Sequence, residues 1–160
     1  MFRKAPAAAL MTFIALGLGG HPATASTAIE LKTADREIPG TREIEAGNYA
    51  AGIAKLERAL NRPNHSVGRA PALINLCVAF VATQQLERAA RYCDAAVANG
   101  ISLELAYNNR AVLKLVRGDL QAAVADLEKA ALLKPGTNVV QRNLDRARAR
   151  AQARVASSQD

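Results

Sequence analysis

Tryptophan is absent from the 160 residues, aromatic side chains amount to 4%, and histidine occurs only as His21 and His65. So few rings, in a chain rich in Ala, Leu, Arg and Glu, disfavour β-sheet and favour helix. The same scarcity leaves no stacking platform for nucleic-acid bases, so no nucleic acid is expected as partner. With two histidines and two cysteines there is no zinc motif, no nucleophile paired with a base and no Gly-rich phosphate loop. Asp and Glu are scattered over polar helix faces as solvated surface charge. The expectation is a protein that is not an enzyme, without metal or cofactor.

Long hydrophobic runs are also missing. Residues 5–20 are uncharged and largely apolar, but Gly17, Gly19, Gly20 and Pro22 interrupt them short of the roughly 20 apolar residues of a membrane-spanning helix. Arg3 and Lys4 before this stretch, and the small residues Ala23 and Ala25 after it, form the pattern of a secretory signal, residues 1–25, cleaved after Ala25. The product is expected to be periplasmic or secreted. No cysteine stands near the cleavage point to carry a lipid. Taking Arg3 and Lys4 from the 21 basic residues leaves 19 against 14 acidic ones, a net +5. That excess is concentrated in Arg142, Arg146, Arg148, Arg150 and Arg154, which form a candidate basic surface.

What the chain does have is internal repetition. Two segments align without a gap at a spacing of 34 residues: Leu73 with Tyr107, Asn75 with Asn109, Cys77 with Ala111, Leu86 with Leu120, Ala89 with Ala123, Cys93 with Leu127 and Ala96 with Ala130. Each unit reads as two helices and a turn. In the later unit these are 105–117 and 120–133, divided by Gly118, which suits a left-handed C-terminal position, and Asp119, which suits an N-cap. Pro135-Gly136 stops the second helix. In the earlier unit the helices are 71–83 and 86–98.

These residues resemble the tetratricopeptide repeat, whose pattern runs aromatic, Leu-Gly, Tyr, Ala, aromatic, Pro. Tyr107, Arg110-Ala111, Lys114, Ala123, Leu127 and Pro135 fill those places in one unit, and Leu73, Leu76-Cys77, Phe80, Ala89 and Cys93 in the other. Arg110 and Lys114 depart from the apolar pattern and weaken those two packing points. A degenerate unit at about 41–66 precedes them, with Gly47-Asn48-Tyr49 as its turn and Pro39-Gly40 limiting its first helix. The resemblance implies an all-α fold, a short right-handed α-solenoid of helix-turn-helix hairpins over 41–137, with repeats at about 70–103 and 104–137. An irregular segment, 26–40, leads into it. An Arg-rich helix at 138–156, with Val140, Leu144, Ala147, Ala151 and Val155 as its apolar stripe, caps the open end before a short tail, 157–160.

Cys77 and Cys93 lie about eight residues either side of a hairpin turn near Gln84-Gln85, which places them opposite each other. In an oxidising compartment this spacing predicts a disulfide, the alternative being two small buried thiols.

By resemblance to the family, the concave face of first helices is the binding groove, with Ile74, Val78, Val81 and Val112, then Asn108 and Leu115, facing it and Asn75 and Asn109 at its edge. The family's paired cations for a peptide carboxylate are not found, since Pro71 and Leu105 stand in their places. A hydrophobic or amphipathic helix is the expected occupant, with the chain's own terminal helix or a second copy as the alternative. The resulting expectation is a protein-interaction module or assembly adaptor of the bacterial envelope, binding a protein or peptide. The other reading is peripheral attachment of the basic helix to lipid headgroups or cell-wall polymer.

Overall fold

α3 (Arg69–Ala82) is apolar almost all the way round, and 11 of its 14 residues are buried, the pattern of a helix enclosed on every side. In this computed structural model, which describes residues 29–34, 37–62 and 68–158, it lies within a run of seven helices. Ahead of it come α1 (Thr41–Glu45) and α2 (Tyr49–Leu60). After it come α4 (Leu86–Asn99), α5 (Leu103–Arg117), α6 (Leu120–Leu133) and α7 (Asn138–Ala156). No strand occurs among the described residues. The signal segment, His21, His65 and the connection around Pro63 lie outside the described residues.

Each helix packs on the next, and the odd-numbered helices also meet in succession, α1 on α3, α3 on α5 and α5 on α7. Among the described residues no two even-numbered helices approach in this way. The result is two layers: an inner one of odd helices and an outer one of even helices, each with one buried stripe, in the serial packing of an α-solenoid. The small residues sit where the helices touch. Ala89, Ala96, Ala123 and Ala130 are at most 1% exposed. Cys77 on α3 is disulfide-bonded to Cys93 on α4, with their Cα atoms 4.8 Å apart.

Three of the turns share one main-chain motif. After α5, the Gly118 amide donates to the Leu115 carbonyl and the Asp119 amide to Lys114. The same pair of bonds joins Gln84 to Val81 and Gln85 to Phe80 after α3, and Gly47 to Ile44 and Asn48 to Glu43 after α1. This is the Schellman arrangement, which needs a left-handed residue at its centre. Gly118 supplies it with φ 84°, whereas Gln84 is forced to φ 58° despite its side chain. Asp119 takes the N-cap place expected of it, but its carboxylate makes no capping bond. The Leu120 amide is met instead by the Gly118 carbonyl at 3.0 Å.

The 34-residue period does not stop at 137. Ala72, Ala106 and Val140 are buried at equivalent places, as are Ala79, Leu113 and Ala147. α7 therefore holds the register of another first helix, and it packs on both α6 and α5 as such a helix must.

Arg110 and Lys114, which break the apolar pattern, are not weak points. Both reach from α5 to Asp126 on α6: Arg110 through two bonds, of 2.8 and 2.9 Å, and Lys114 through one of 2.6 Å. Asp94 on α4 also accepts from Arg110, at 3.1 Å. Burial alone pushes the Asp126 carboxyl up, but the bonds from Arg110 and Lys114 outweigh it and hold the group below its ordinary value. The two cations thus join three successive helices where a family-like core would use apolar contact.

Candidate functional site

The inner layer brings three asparagines at one sequence interval onto one face: Asn75 on α3, Asn109 on α5 and Asn143 on α7, separated by 34 residues each time and all 0% exposed. A carboxamide offers two donor hydrogens and an accepting oxygen, and burying one without partners is costly. The partners here are the main chain of residues 29–34, an extended segment without internal helix or turn.

The Glu30 amide donates to Asn143 Oδ1 at 3.0 Å, and Asn143 Nδ2 donates to the Glu30 carbonyl at 2.9 Å. Two residues on, the Lys32 amide donates to Asn109 Oδ1 at 3.0 Å and Asn109 Nδ2 returns a bond to the Lys32 carbonyl at 2.7 Å. After two more, the Ala34 amide donates to Asn75 Oδ1 at 2.7 Å, while Asn75 Nδ2 donates to the Thr41 hydroxyl at 2.7 Å. Asn108 links the series: its Nδ2 donates to the Glu30 carbonyl and to Asn109 Oδ1, each at 3.2 Å, and its Oδ1 accepts from Asn143 at 2.9 Å. A strand turns alternate residues to opposite sides, so residues 30, 32 and 34 meet successive asparagines. The segment runs from α7 towards α3, against the order of the helices.

Side chains follow the same alternation. Ile29 and Leu31 are each 8% exposed and join the main core, and Thr33 donates to Glu45 at 2.8 Å. Glu30 receives two bonds of 2.9 Å from Arg142, with Arg146 at 3.6 Å. The Arg142 bond chiefly holds the Glu30 carboxyl below its ordinary range. Lys32 faces out and is exposed.

The residues expected to line an open groove, Ile74, Asn75, Val78 and Val81 on α3 and Asn108, Asn109, Val112 and Leu115 on α5, are all buried within the folded chain. In this conformation none of them is free to meet a partner. Cys77 and Cys93 are joined as expected. The arginines of α7 do not form an uncommitted basic surface. Arg142 and Arg146 pair with Glu30, Arg148 pairs with Glu128 at 2.9 Å, Arg154 donates to the Gly118 carbonyl at 3.1 Å, and Arg150 is exposed.

Asn143, Glu30 and the segment 29–34 were not singled out from the sequence. The signal for Asn143 was present, since it repeats the interval from Asn75 to Asn109. Residues 29–34 carry no turn or helix signal that would tie them to this face. Among the described residues no cluster of His, Cys, Asp or Glu is arranged to hold a metal ion, and no helix is long and apolar enough to cross a membrane.

In comparisons with known proteins, no family model matches this chain, and neither the curated proteins nor the solved structures yield a match.

Proposed function

We propose that this chain is a non-enzymatic interaction module of tetratricopeptide-repeat type, exported to the bacterial periplasm, which takes a peptide of another protein on the inner face of its first helices. The single observation carrying this reading is the asparagine series, which holds the main chain of residues 29–34 through Asn109 and Asn143. Carboxamides at a regular interval are a general device for satisfying peptide main chain. The 34-residue period and the hairpins support the repeat type. The Cys77–Cys93 disulfide accords with an oxidising compartment.

Attachment to an anionic surface through α7 has less behind it, because Arg142, Arg146 and Arg148 are already paired with carboxylates of the chain. The test is to pan a random peptide library against the folded chain and map the selected peptides by photo-crosslinking. Crosslinks to α3, α5 and α7 on the asparagine face are expected. Failure to select any sequence, or crosslinks confined to the Arg148–Arg154 side of α7 and abolished by salt, would reject the reading.

A further inference from the structure

The asparagines hold main chain, which every peptide possesses, so they cannot by themselves choose among ligands. Choice rests with what flanks them. Glu30 lies in the reach of Arg142 and Arg146, and its neighbours Ile29 and Leu31 enter the apolar core. Resting on the peptide-binding reading above, we propose that the ligand of this face is an extended peptide bearing a carboxylate between two apolar residues. Residues 29–34 are its intramolecular stand-in, filling the site until such a peptide displaces them.

Three observations carry this. First, the main-chain bonds of the segment go to side chains of α3, α5 and α7 rather than to a neighbouring strand, so an incoming peptide can take over the same donors and acceptors bond for bond. Second, an α-helix satisfies its main chain internally. A helical occupant would leave Asn75, Asn109 and Asn143 buried against groups that need nothing from them, which the unmet-bond penalty disfavours. Third, the charges are complementary: one carboxylate on the segment faces two guanidinium groups on the face. Tethering gives the resident segment an effective concentration on the order of millimolar, so it competes strongly with any ligand in trans.

Lys32→Pro separates these roles. It deletes the amide that donates to Asn109 while changing a side chain that faces solvent. A fluorescent peptide with the sequence of residues 28–36 is titrated by anisotropy into the full chain and into this variant. The expected result is binding at least tenfold tighter to the variant, with at least a tenfold loss when the peptide carries Glu30→Gln. Adding Asn109→Ala to the variant should weaken its binding of the peptide, because the peptide makes both the amide and the carbonyl bond to Asn109 whereas the resident segment, with proline at 32, keeps only the carbonyl bond. Equal affinity for both proteins, or indifference to Glu30→Gln, overturns the proposal. So does a variant that prefers an amphipathic helical peptide, although peptide binding as such then survives; if no peptide binds the opened face, both readings fall. A variant that dimerises by exchanging its segment and refuses the peptide overturns it in favour of a second copy. Should Lys32→Pro not fold, excess peptide added to the unaltered chain must speed hydrogen exchange at the amides of Glu30, Lys32 and Ala34; unchanged exchange at saturating peptide refutes displacement.

Discussion

Asn109 meets both main-chain groups of Lys32 with one carboxamide: Oδ1 accepts from the Lys32 amide at 3.0 Å and Nδ2 donates to its carbonyl at 2.7 Å. This is the pairing a neighbouring strand would offer, supplied here by a side chain of a helix. Asn109 is fully buried, and removing it takes from the two Lys32 groups the bonds they make to it. Asn109→Ala should destabilise the chain by about 2 kcal/mol, read as a lower midpoint in urea. The more specific readout is hydrogen exchange: protection should fall at Lys32 while α6 is unaffected. Loss of protection across all helices together would show that Asn109 serves the fold at large and not the segment.

Gln84 occupies the left-handed centre of the turn between α3 and α4, with φ 58°, where the other two Schellman turns have Gly47 and Gly118. A side chain at such a position costs on the order of 1–2 kcal/mol relative to glycine, partly offset by the greater freedom of glycine in the unfolded chain. Gln84→Gly should therefore raise stability by about 1 kcal/mol. Thermal unfolding followed by circular dichroism checks this. An unchanged or lower midpoint would mean that the Gln84 side chain makes a compensating contribution.

The hairpins were legible because their signals are local or strictly periodic. Gly118 ends α5, Pro135 follows the end of α6, and Ala89 and Ala123 mark the close approaches at one interval. The face was only half legible. Asn75 and Asn109 stood out by alignment, but Asn143 sits among arginines that made α7 read as a polar cap. What covers the face was not legible at all, since the link between Glu30 and Asn143 spans 113 residues and leaves no periodic trace. Arg110 and Lys114 were misjudged for a related reason. Set against an apolar pattern they look like defects, and only the position of Asp126 on the neighbouring helix turns them into partners.

The disulfide gives a third prediction. Cys77 and Cys93 close a loop of 16 residues' separation, for which the chain-entropy estimate is about 3 kcal/mol. A double Cys77→Ala, Cys93→Ala variant should lose that amount, or about 10 °C in Tm, while keeping its helical signal. Alanine suits both sites, because each faces the close contact between α3 and α4 where small residues recur. A variant as stable as the parent would mean that the bond serves something other than stability.

Asp126 supplies a test in pH. Its side chain is 3% exposed, whereas those of Arg110 and Lys114 are 19% and 24% exposed, so the cations keep some water if they lose their partner. Asp126→Asn removes the charge but leaves one acceptor oxygen and turns an amide donor towards two cations. A loss of about 2–3 kcal/mol at neutral pH is expected, at or below the roughly 3–5 kcal/mol of a broken fully buried pair because of that residual hydration. The folded carboxyl titrates below its ordinary value, so the unfolded chain takes up the proton first as pH falls. The stabilisation is complete above the unfolded aspartate value of about 3.9 and disappears as pH drops through the lower folded value. Urea midpoints of parent and variant should therefore lie furthest apart near pH 7 and draw together below about pH 4. A gap that stayed constant down to pH 2 would show that the variant fails through shape and not through charge.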